Sequence, residues 1–310
     1  MGSERWSPLA VLLFALTIFA WGTNYLFVRV GLDSASPLWL ATLRAGVGAL
    51  GFGAYLLFTH PGTPMPRRQR LTAIALGIPN TAIFFGLWFV AAGAVAPGQS
   101  AVVIYTFPLW VALLSIPLLE RRLRWGHWVA IALGFSGVLL LSQPWTGGGG
   151  EGRLAPLLEL VGAAISWATA TVLAQRWFRP SEMLRVNGYQ LAGGSVALLA
   201  ATLLFAPRPL PAGTESLAVA TVWLALFGTA FAYGVWFWLL GRVPASTLST
   251  FSFLVPLVAL GASALFVGER LDVVQGVGVA AVVVGIYGIA RAGDPTRQRA
   301  PDSSVAPHES

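Results

Sequence analysis

The sequence predicts an all-α integral membrane protein in which ten transmembrane helices form two inverted five-helix repeats around a central cavity. Composition, the spacing of apolar stretches and an internal similarity support this prediction. Of the 310 residues, 56% are hydrophobic and only 10% are charged, and the mean hydropathy is +0.73. A soluble domain usually carries about 25% charged residues, so a water-soluble fold is excluded.

The apolar residues are grouped into ten long stretches. A transmembrane helix needs about 20 predominantly apolar residues, and short breaks that contain Arg, Pro or Gly separate stretches of this kind. We place the spans at 9–31, 37–59, 71–92, 96–118, 124–142, 154–178, 181–206, 216–240, 245–267 and 272–291.

The arginines are unevenly distributed between the two membrane faces. All 19 cationic side chains are arginine. Fourteen lie on the side of the amino terminus, three lie on the opposite side, and Arg29 and Arg44 lie within spans. Because short arginine-rich loops remain in the cytoplasm, we expect a multi-pass protein of the cell inner (plasma) membrane with both termini cytoplasmic.

The two halves of the chain are similar at an offset of about 146 to 148 residues. Trp21 of the first span aligns with Trp167 of the sixth. Pro108 of the fourth span likewise aligns with Pro256 of the ninth. Each half has five spans, an odd number, so the two copies must have opposite orientations, an arrangement typical of transporters. We assign a first repeat to 9–142, a glycine-rich linker to 143–153, a second repeat to 154–291 and a disordered cytoplasmic tail to 292–310.

The aligned prolines lie near the middle of their spans. Proline lacks a backbone N–H, and its ring clashes with the preceding turn, so it bends or breaks a helix. Matched interruptions at Pro108 and Pro256 indicate a central site and a helix-break or gating role for both residues. Simple kinks packed against neighbouring helices are the alternative, because transmembrane helices tolerate proline well.

Several short motifs are distributed along nearly the whole chain up to Arg291. They are Trp21-Gly-Thr-Asn-Tyr-Leu-Phe-Val-Arg, Leu43-Arg44, Pro97-Gly-Gln-Ser-Ala before Pro108, Glu120-Arg121, Ser166-Trp-Ala, Pro256, Gly268-Glu-Arg-Leu and Gln275-Gly. Together they resemble the drug/metabolite transporter superfamily, and specifically its EamA-type ten-helix exporters, including exporters of amino acids and aromatic amino acids. The resemblance implies a basket of helices around a central cavity and the export of amino acids or related metabolites.

Polar and aromatic residues deep within the spans are the candidate substrate-binding residues, because such groups face the bundle interior or a water-filled cavity. Trp21, Asn24 and Tyr25 share one helical face of the first span. Trp167 and Thr171 form the equivalent face of the sixth. The remaining candidates are Asn80, Phe84, Trp88, Tyr105, Tyr233, Trp236, Ser249 and Phe253. Ordinary helix packing is the alternative for each aromatic residue.

Arg44 is a cation deep within the second span. It lies about 10 Å from the span's end at 1.5 Å per residue, too deep for its guanidinium to reach water easily. It therefore needs an anionic partner. A substrate carboxylate could bind it through two parallel hydrogen bonds. A fixed ion pair or carbonyl contacts with Glu159, Asp33 or Glu269 are the alternative.

The sequence lacks the residues that several functional classes require. No Asp or Glu lies near the middle of a span, so we expect facilitated or weakly coupled transport rather than proton pumping. The chain has no cysteine and three scattered histidines, so no metal site is expected. The Gly46–Gly51 stretch fits G-x-G-x-x-G but lies within a span, where small residues serve helix packing, so no cofactor is expected either.

We therefore expect a transporter, not an enzyme, that exports small organic solutes by alternating access, with neutral and aromatic amino acids as the favoured substrates. Its partners are a small-molecule substrate and the lipid bilayer, with no nucleic acid, and a monomer is compatible with the sequence. Other metabolites or drugs, and nucleotide-linked or phosphorylated sugars, are the alternative substrates. The sugars should need several cavity cations, and only Arg44 and Arg29 are available. A membrane-embedded enzyme is disfavoured because the spans contain no cluster of nucleophile, acid and base.

Overall fold

The computed structural model describes residues 7–59, 65–142, 150–206, 213–243, 248, 252, 254–292 and 296–297. These residues form helical segments on all ten predicted stretches. The segments are α1 Pro8–Leu32, α2 Pro37–Thr59, α3 Arg67–Ala92, α4 Pro97–Leu119, α5 Trp125–Ser142, α6 Gly150–Trp177, α7 Pro180–Phe205, α8 Glu215–Leu240, α9 Leu254–Phe266 and α10 Val273–Ala292.

Seven of the described helices are long and apolar enough to cross a membrane, namely α1 to α4 and α6 to α8. Three shorter apolar helices cover Trp125–Leu141, Leu254–Phe266 and Val273–Ile289. Large apolar side chains face outward, since Phe58 and Phe205 are 87% and 79% exposed. The all-α membrane fold is thus confirmed, and membrane crossing by the three shorter helices stays a prediction.

A short antiparallel strand pair lies outside the helices. Strand β1, Arg121–Arg122, follows α4 and pairs with β2, Thr296–Arg297, in the tail. The tail was predicted to be disordered, so this pairing corrects the prediction at residues 296–297. The other residues after 292, and most of the predicted linker, lie outside the described residues.

Glycines allow close contact between helices. A Cβ atom built on Gly137 of α5 would lie 2.5 Å from the carbonyl oxygen of Gly278 in α10, so these fifth helices of the two halves touch through their backbones. A Cβ on Gly48 of α2 would lie 2.7 Å from Cγ2 of Thr229 in α8. Small residues permit such contacts in membranes. Gly48, which belongs to the G-x-G-x-x-G pattern, therefore serves helix packing.

Irregular turns occur at corresponding places in the two halves. The third helix of each half contains a wider, π-type turn, at Ile78–Ile83 in α3 and at Trp223–Phe231 in α8. The fourth helix of the first half, α4, is interrupted between Ile104 and Phe107, which places Pro108 in the first turn of its second segment. The first turn suits proline because its missing N–H needs no partner there. Pro256 lies in the first turn of α9, and the gating role of both prolines stays a prediction.

The wide turns link the two repeats. The Trp21 indole of α1 donates to the carbonyl oxygen of Gly228 in α8 at 3.1 Å. The Ser166 hydroxyl of α6 donates to the carbonyl oxygen of Pro79 in α3 at 2.6 Å. In both cases the first helix of one half binds a wide turn in the third helix of the other half. The repeats therefore exchange equivalent contacts across the centre of the bundle.

Candidate substrate-binding site

A small cavity lies where the middle parts of six helices meet. Its volume is about 10 Å³, which is room for about one water molecule. Both repeats contribute, through α1, α2, α3 and α4 and through α6 and α8. The lining residues are Trp21, Asn24, Tyr25, Arg44, Phe84, Trp88, Ile104, Tyr105, Trp167 and Tyr233.

Nine of these ten residues were singled out from the sequence, and the structure brings them together. Their role in binding substrate stays a prediction. Ile104 was missed because nothing in an apolar helix distinguishes it from its neighbours. Ser249 and Phe253 lie outside the described residues.

Three other candidates are not among the lining residues of this cavity, and their role in binding substrate stays a prediction. The Thr171 hydroxyl donates to the carbonyl oxygen of Trp167 in its own helix at 2.9 Å. Trp236 packs against Trp21 and Trp167, at ring-centroid distances of 5.5 and 5.6 Å, and so supports the lining residues from outside. Asn80 is buried in the wide turn of α3.

Aromatic rings form most of the cavity wall. The Trp167 ring stacks on Phe107 at 4.0 Å and on Phe84 at 5.3 Å between centroids. Trp21 meets it edge to face at 5.6 Å. The sequence did not single out Phe107, although it lies beside the predicted helix break. These contacts hold Trp167 in one orientation at the centre of the site.

Several donors that surround the cavity have no acceptor among the described residues. The Trp88 and Trp167 indole nitrogens and the Tyr233 hydroxyl are buried, and none of them is hydrogen-bonded to any described residue. Buried polar groups of folded proteins nearly always have partners. A ligand or water molecule with acceptor atoms would satisfy them.

The Arg44 guanidinium is held against one wall of the cavity and is only 1% exposed. Its Nε donates to the Thr229 hydroxyl at 3.0 Å and its Nη2 donates to the carbonyl oxygen of Gly228 at 3.3 Å. The guanidinium carbon lies 4.2 Å from the ring centroid of Phe85 and 4.8 Å from that of Trp88. Nη1 finds no acceptor in the described part of the chain.

Asn24 also contacts Arg44. With its amide oriented so that the nitrogen donates to the carbonyl oxygen of Ala20 at 3.1 Å, the Asn24 oxygen accepts from Arg44 Nη2 at 3.3 Å. The arginine is therefore bound by neutral groups and aromatic rings. A mid-span polar residue such as Thr229 was a detectable signal that the sequence reasoning overlooked.

None of the three carboxylates considered from the sequence pairs with Arg44. Asp33 is exposed and Glu159 is half-buried in the described structure. The Glu269 carboxylate instead accepts from the backbone N–H of Gly98 at 2.9 Å. Of the two structural alternatives, the ion pair is therefore wrong for the described residues, whereas a carbonyl contact is present at Gly228. Because a buried charge without a counter-ion is costly, Arg44 is the strongest candidate for binding an anionic ligand.

The fold and this cavity define a multi-pass membrane protein made of two related helical repeats. The EamA-like transporter family matches the chain twice, at residues 8–143 and 155–291. The chain belongs to this family of the drug/metabolite transporter superfamily and is a membrane transporter, which confirms the resemblance inferred from its motifs.

Individual relatives cover most of the chain. The uncharacterized inner membrane transporter YedA of Escherichia coli K12 is 31% identical over 283 residues, 90% of this chain and 89% of YedA. Protein PecM of Dickeya dadantii is 34% identical over 262 residues, 84% of each chain. A probable amino-acid metabolite efflux pump of E. coli K12 is 28% identical over 286 residues, 89% of this chain and 92% of the pump.

A solved crystal structure also resembles this fold. Its TM-score is 0.68 at 21% sequence identity, and the match covers 91% of this chain and 97% of the other. At this identity the likeness supports the fold alone.

Proposed function

We propose that this transporter exports small organic solutes that combine a carboxylate with an apolar or aromatic group, with neutral and aromatic amino acids as its substrates. The observation that carries the proposal is Arg44. It is a buried cation at the cavity that has no counter-ion among the described residues and a guanidinium nitrogen without an acceptor. A substrate carboxylate would supply both the charge and the acceptor.

The aromatic wall supports an apolar or aromatic substrate group. Indole rings of Trp21 and Trp167 meet at the cavity, and ring faces and edges favour contact with another aromatic ring. The indole nitrogens of Trp88 and Trp167, which have no partner among the described residues, can donate to substrate oxygens. The similarity to a probable amino-acid metabolite efflux pump agrees with this substrate class.

Transport requires a change in shape. A volume of about 10 Å³ is far below the roughly 300–1,000 Å³ of a typical ligand pocket, so the cavity must expand to admit an amino acid. Helices bend most readily where their hydrogen-bond ladder is irregular, as in the wide turns of α3 and α8 and at the interruption of α4. We infer alternating access, with both termini in the cytoplasm as the arginine distribution indicates and with the inner membrane as the location.

A phosphorylated or nucleotide-linked sugar is less well supported. Several cations usually neutralise a phosphate group. Arg44 is the only cation among the lining residues of the cavity in the described part of the chain.

Uptake by proteoliposomes tests the proposal. The probes are radiolabelled L-phenylalanine, phenethylamine, which lacks the carboxylate, and a panel of further amino acids. We expect saturable uptake of the amino acid and little uptake of the amine. Arg44→Lys keeps the charge but loses the planar fork, and losing a charge-assisted hydrogen bond of about 1.5 kcal/mol should raise KM about tenfold.

The matched control is Arg29→Lys, which changes an exposed arginine of α1 and should leave KM unchanged. Uptake of the amine equal to that of the amino acid, or an unaltered KM in Arg44→Lys, would show that Arg44 does not bind a carboxylate. If no amino acid is taken up, the substrate belongs to the other metabolites or drugs.

A further inference from the structure

A carboxylate of the second repeat binds the beginning of a helix in the first repeat. Glu269 lies just after α9, and its side chain accepts from the backbone N–H groups of Gly98 at 2.9 Å and Gln99 at 3.2 Å. It also accepts from the Ser263 hydroxyl of α9. Gly98 and Gln99 belong to the first turn of α4, where free N–H groups and the helix dipole favour a negative charge.

Helix α4 approaches Glu269 so closely that a side chain on Gly98 would have to displace the carboxylate. A Cβ atom on Gly98 would lie 2.7 Å from Glu269 Oε2 and 2.7 Å from Cδ2 of Leu260 in α9. Gly268, directly before Glu269, has a φ of +71°, a conformation that glycine adopts readily. It turns the chain after α9 so that the carboxylate points back toward α4.

The same helix connects this contact to the cavity. The first segment of α4, Pro97–Ile104, begins at Glu269 and ends at the cavity residues Ile104 and Tyr105. Its eight residues span about 12 Å at 1.5 Å per residue. A movement of its first turn away from α9 would therefore displace two residues of the cavity wall.

We propose that Glu269 is a gating residue whose contact with α4 closes the cavity toward the membrane face at which α4 begins. Opening to that face requires this carboxylate to release the N–H groups of Gly98 and Gln99. The contact joins the two repeats, so its release separates α4 from α9. The inference rests on the alternating access proposed above but not on the identity of the substrate.

A single introduced cysteine can report the gate, because the chain has no cysteine of its own. The reporter is Ile104→Cys at the cavity, labelled with a membrane-impermeant maleimide in right-side-out and inside-out vesicles without substrate. In this background, Glu269→Gln retains the size of the side chain but loses the charge and places an amide N–H₂ near the backbone donors. We expect labelling from the face at which α4 begins to become at least about fivefold faster, which corresponds to roughly 1 kcal/mol.

Glu120→Gln is the matched control. Glu120 follows α4 much as Glu269 follows α9, but it is exposed in this structure, so its replacement should leave labelling from that face unchanged. Ser263→Ala weakens the same contact without altering the carboxylate, and should accelerate labelling from that face by a smaller factor. This variant keeps the test decisive if Glu269→Gln does not fold.

Unchanged labelling in both Glu269→Gln and Ser263→Ala would overturn the proposal. Equal acceleration from both faces would also overturn it, because it would indicate general loosening rather than one-sided opening. Labelling uses no substrate, so a failure of amino-acid uptake and a failure of the gate give different results.

Discussion

Replacing Thr229 by valine tests how the protein holds Arg44. The Thr229 side chain is fully buried, and its hydroxyl accepts from Arg44 Nε at 3.0 Å and donates to the carbonyl oxygen of Leu224 at 2.9 Å. Valine has nearly the same shape but no hydroxyl. Nε would then join Nη1 as a second buried donor without an acceptor in the described part of the chain.

The expected loss of stability in Thr229→Val follows from the positive charge on the donor, the Arg44 guanidinium. A hydrogen bond to a charged group contributes about 1.5–3 kcal/mol, and one between neutral groups contributes about 0.5–1.5 kcal/mol. Thr171→Val is the matched control, because Thr171 is equally buried and donates to its own helix at 2.9 Å without contacting a charge. The two variants should differ by roughly 1–2 kcal/mol in free energy of unfolding, about a 5- to 30-fold difference in the equilibrium constant.

The assay is reversible unfolding in mixed micelles, followed by the fluorescence of the 13 tryptophans. Thr229→Val should unfold at a lower denaturant concentration than Thr171→Val. It should also raise KM for a carboxylate substrate, because the guanidinium would be less well oriented. Equal losses of stability in the two variants would refute the reasoning, since the bond to Arg44 would then contribute nothing beyond an ordinary hydroxyl.

Helix packing, coupling and topology can each be tested by one further experiment. A Cβ on Gly77 would lie 2.2 Å from the carbonyl oxygen of Gln190, so Gly77→Ala should lower the free energy of unfolding by about 1–3 kcal/mol. Gly46→Ala is the control, because a Cβ there meets nothing within 4 Å, and it should be neutral or stabilising by up to about 1 kcal/mol. Equal changes in the free energy of unfolding for the two variants would contradict the close helix contact at Gly77. The cavity lining contains no Asp or Glu in the described structure. Uptake by proteoliposomes should therefore persist when a protonophore removes the pH gradient. Strict dependence of uptake on that gradient would disprove facilitated transport. A reporter protein that is active only in the cytoplasm should be active when fused after residue 310. Activity of a reporter that works only in the periplasm would show that the proposed orientation is wrong.

The sequence by itself determined the class of fold. In lipid, every backbone polar group must find its partner within the protein, so an apolar stretch of about 20 residues has little choice but to form a helix. The same cost explains why mid-span polar residues converge. Trp21, Asn24, Tyr25 and Arg44 were predicted to face the interior because lipid cannot satisfy their polar groups, and the structure brings them to one cavity.

Tertiary structure alone decided which of these interior residues meet and what each one binds. Thr171 shares a helix with Trp167, yet its hydroxyl is bound to that helix and does not line the cavity. Ile104 lines it because α4 is interrupted directly after this residue. The partners of Arg44 depend on a wide turn that exposes the Gly228 carbonyl oxygen. Such positions depend on how helices distant in sequence pack together, and the periodicity of one helix carries no information about its neighbours.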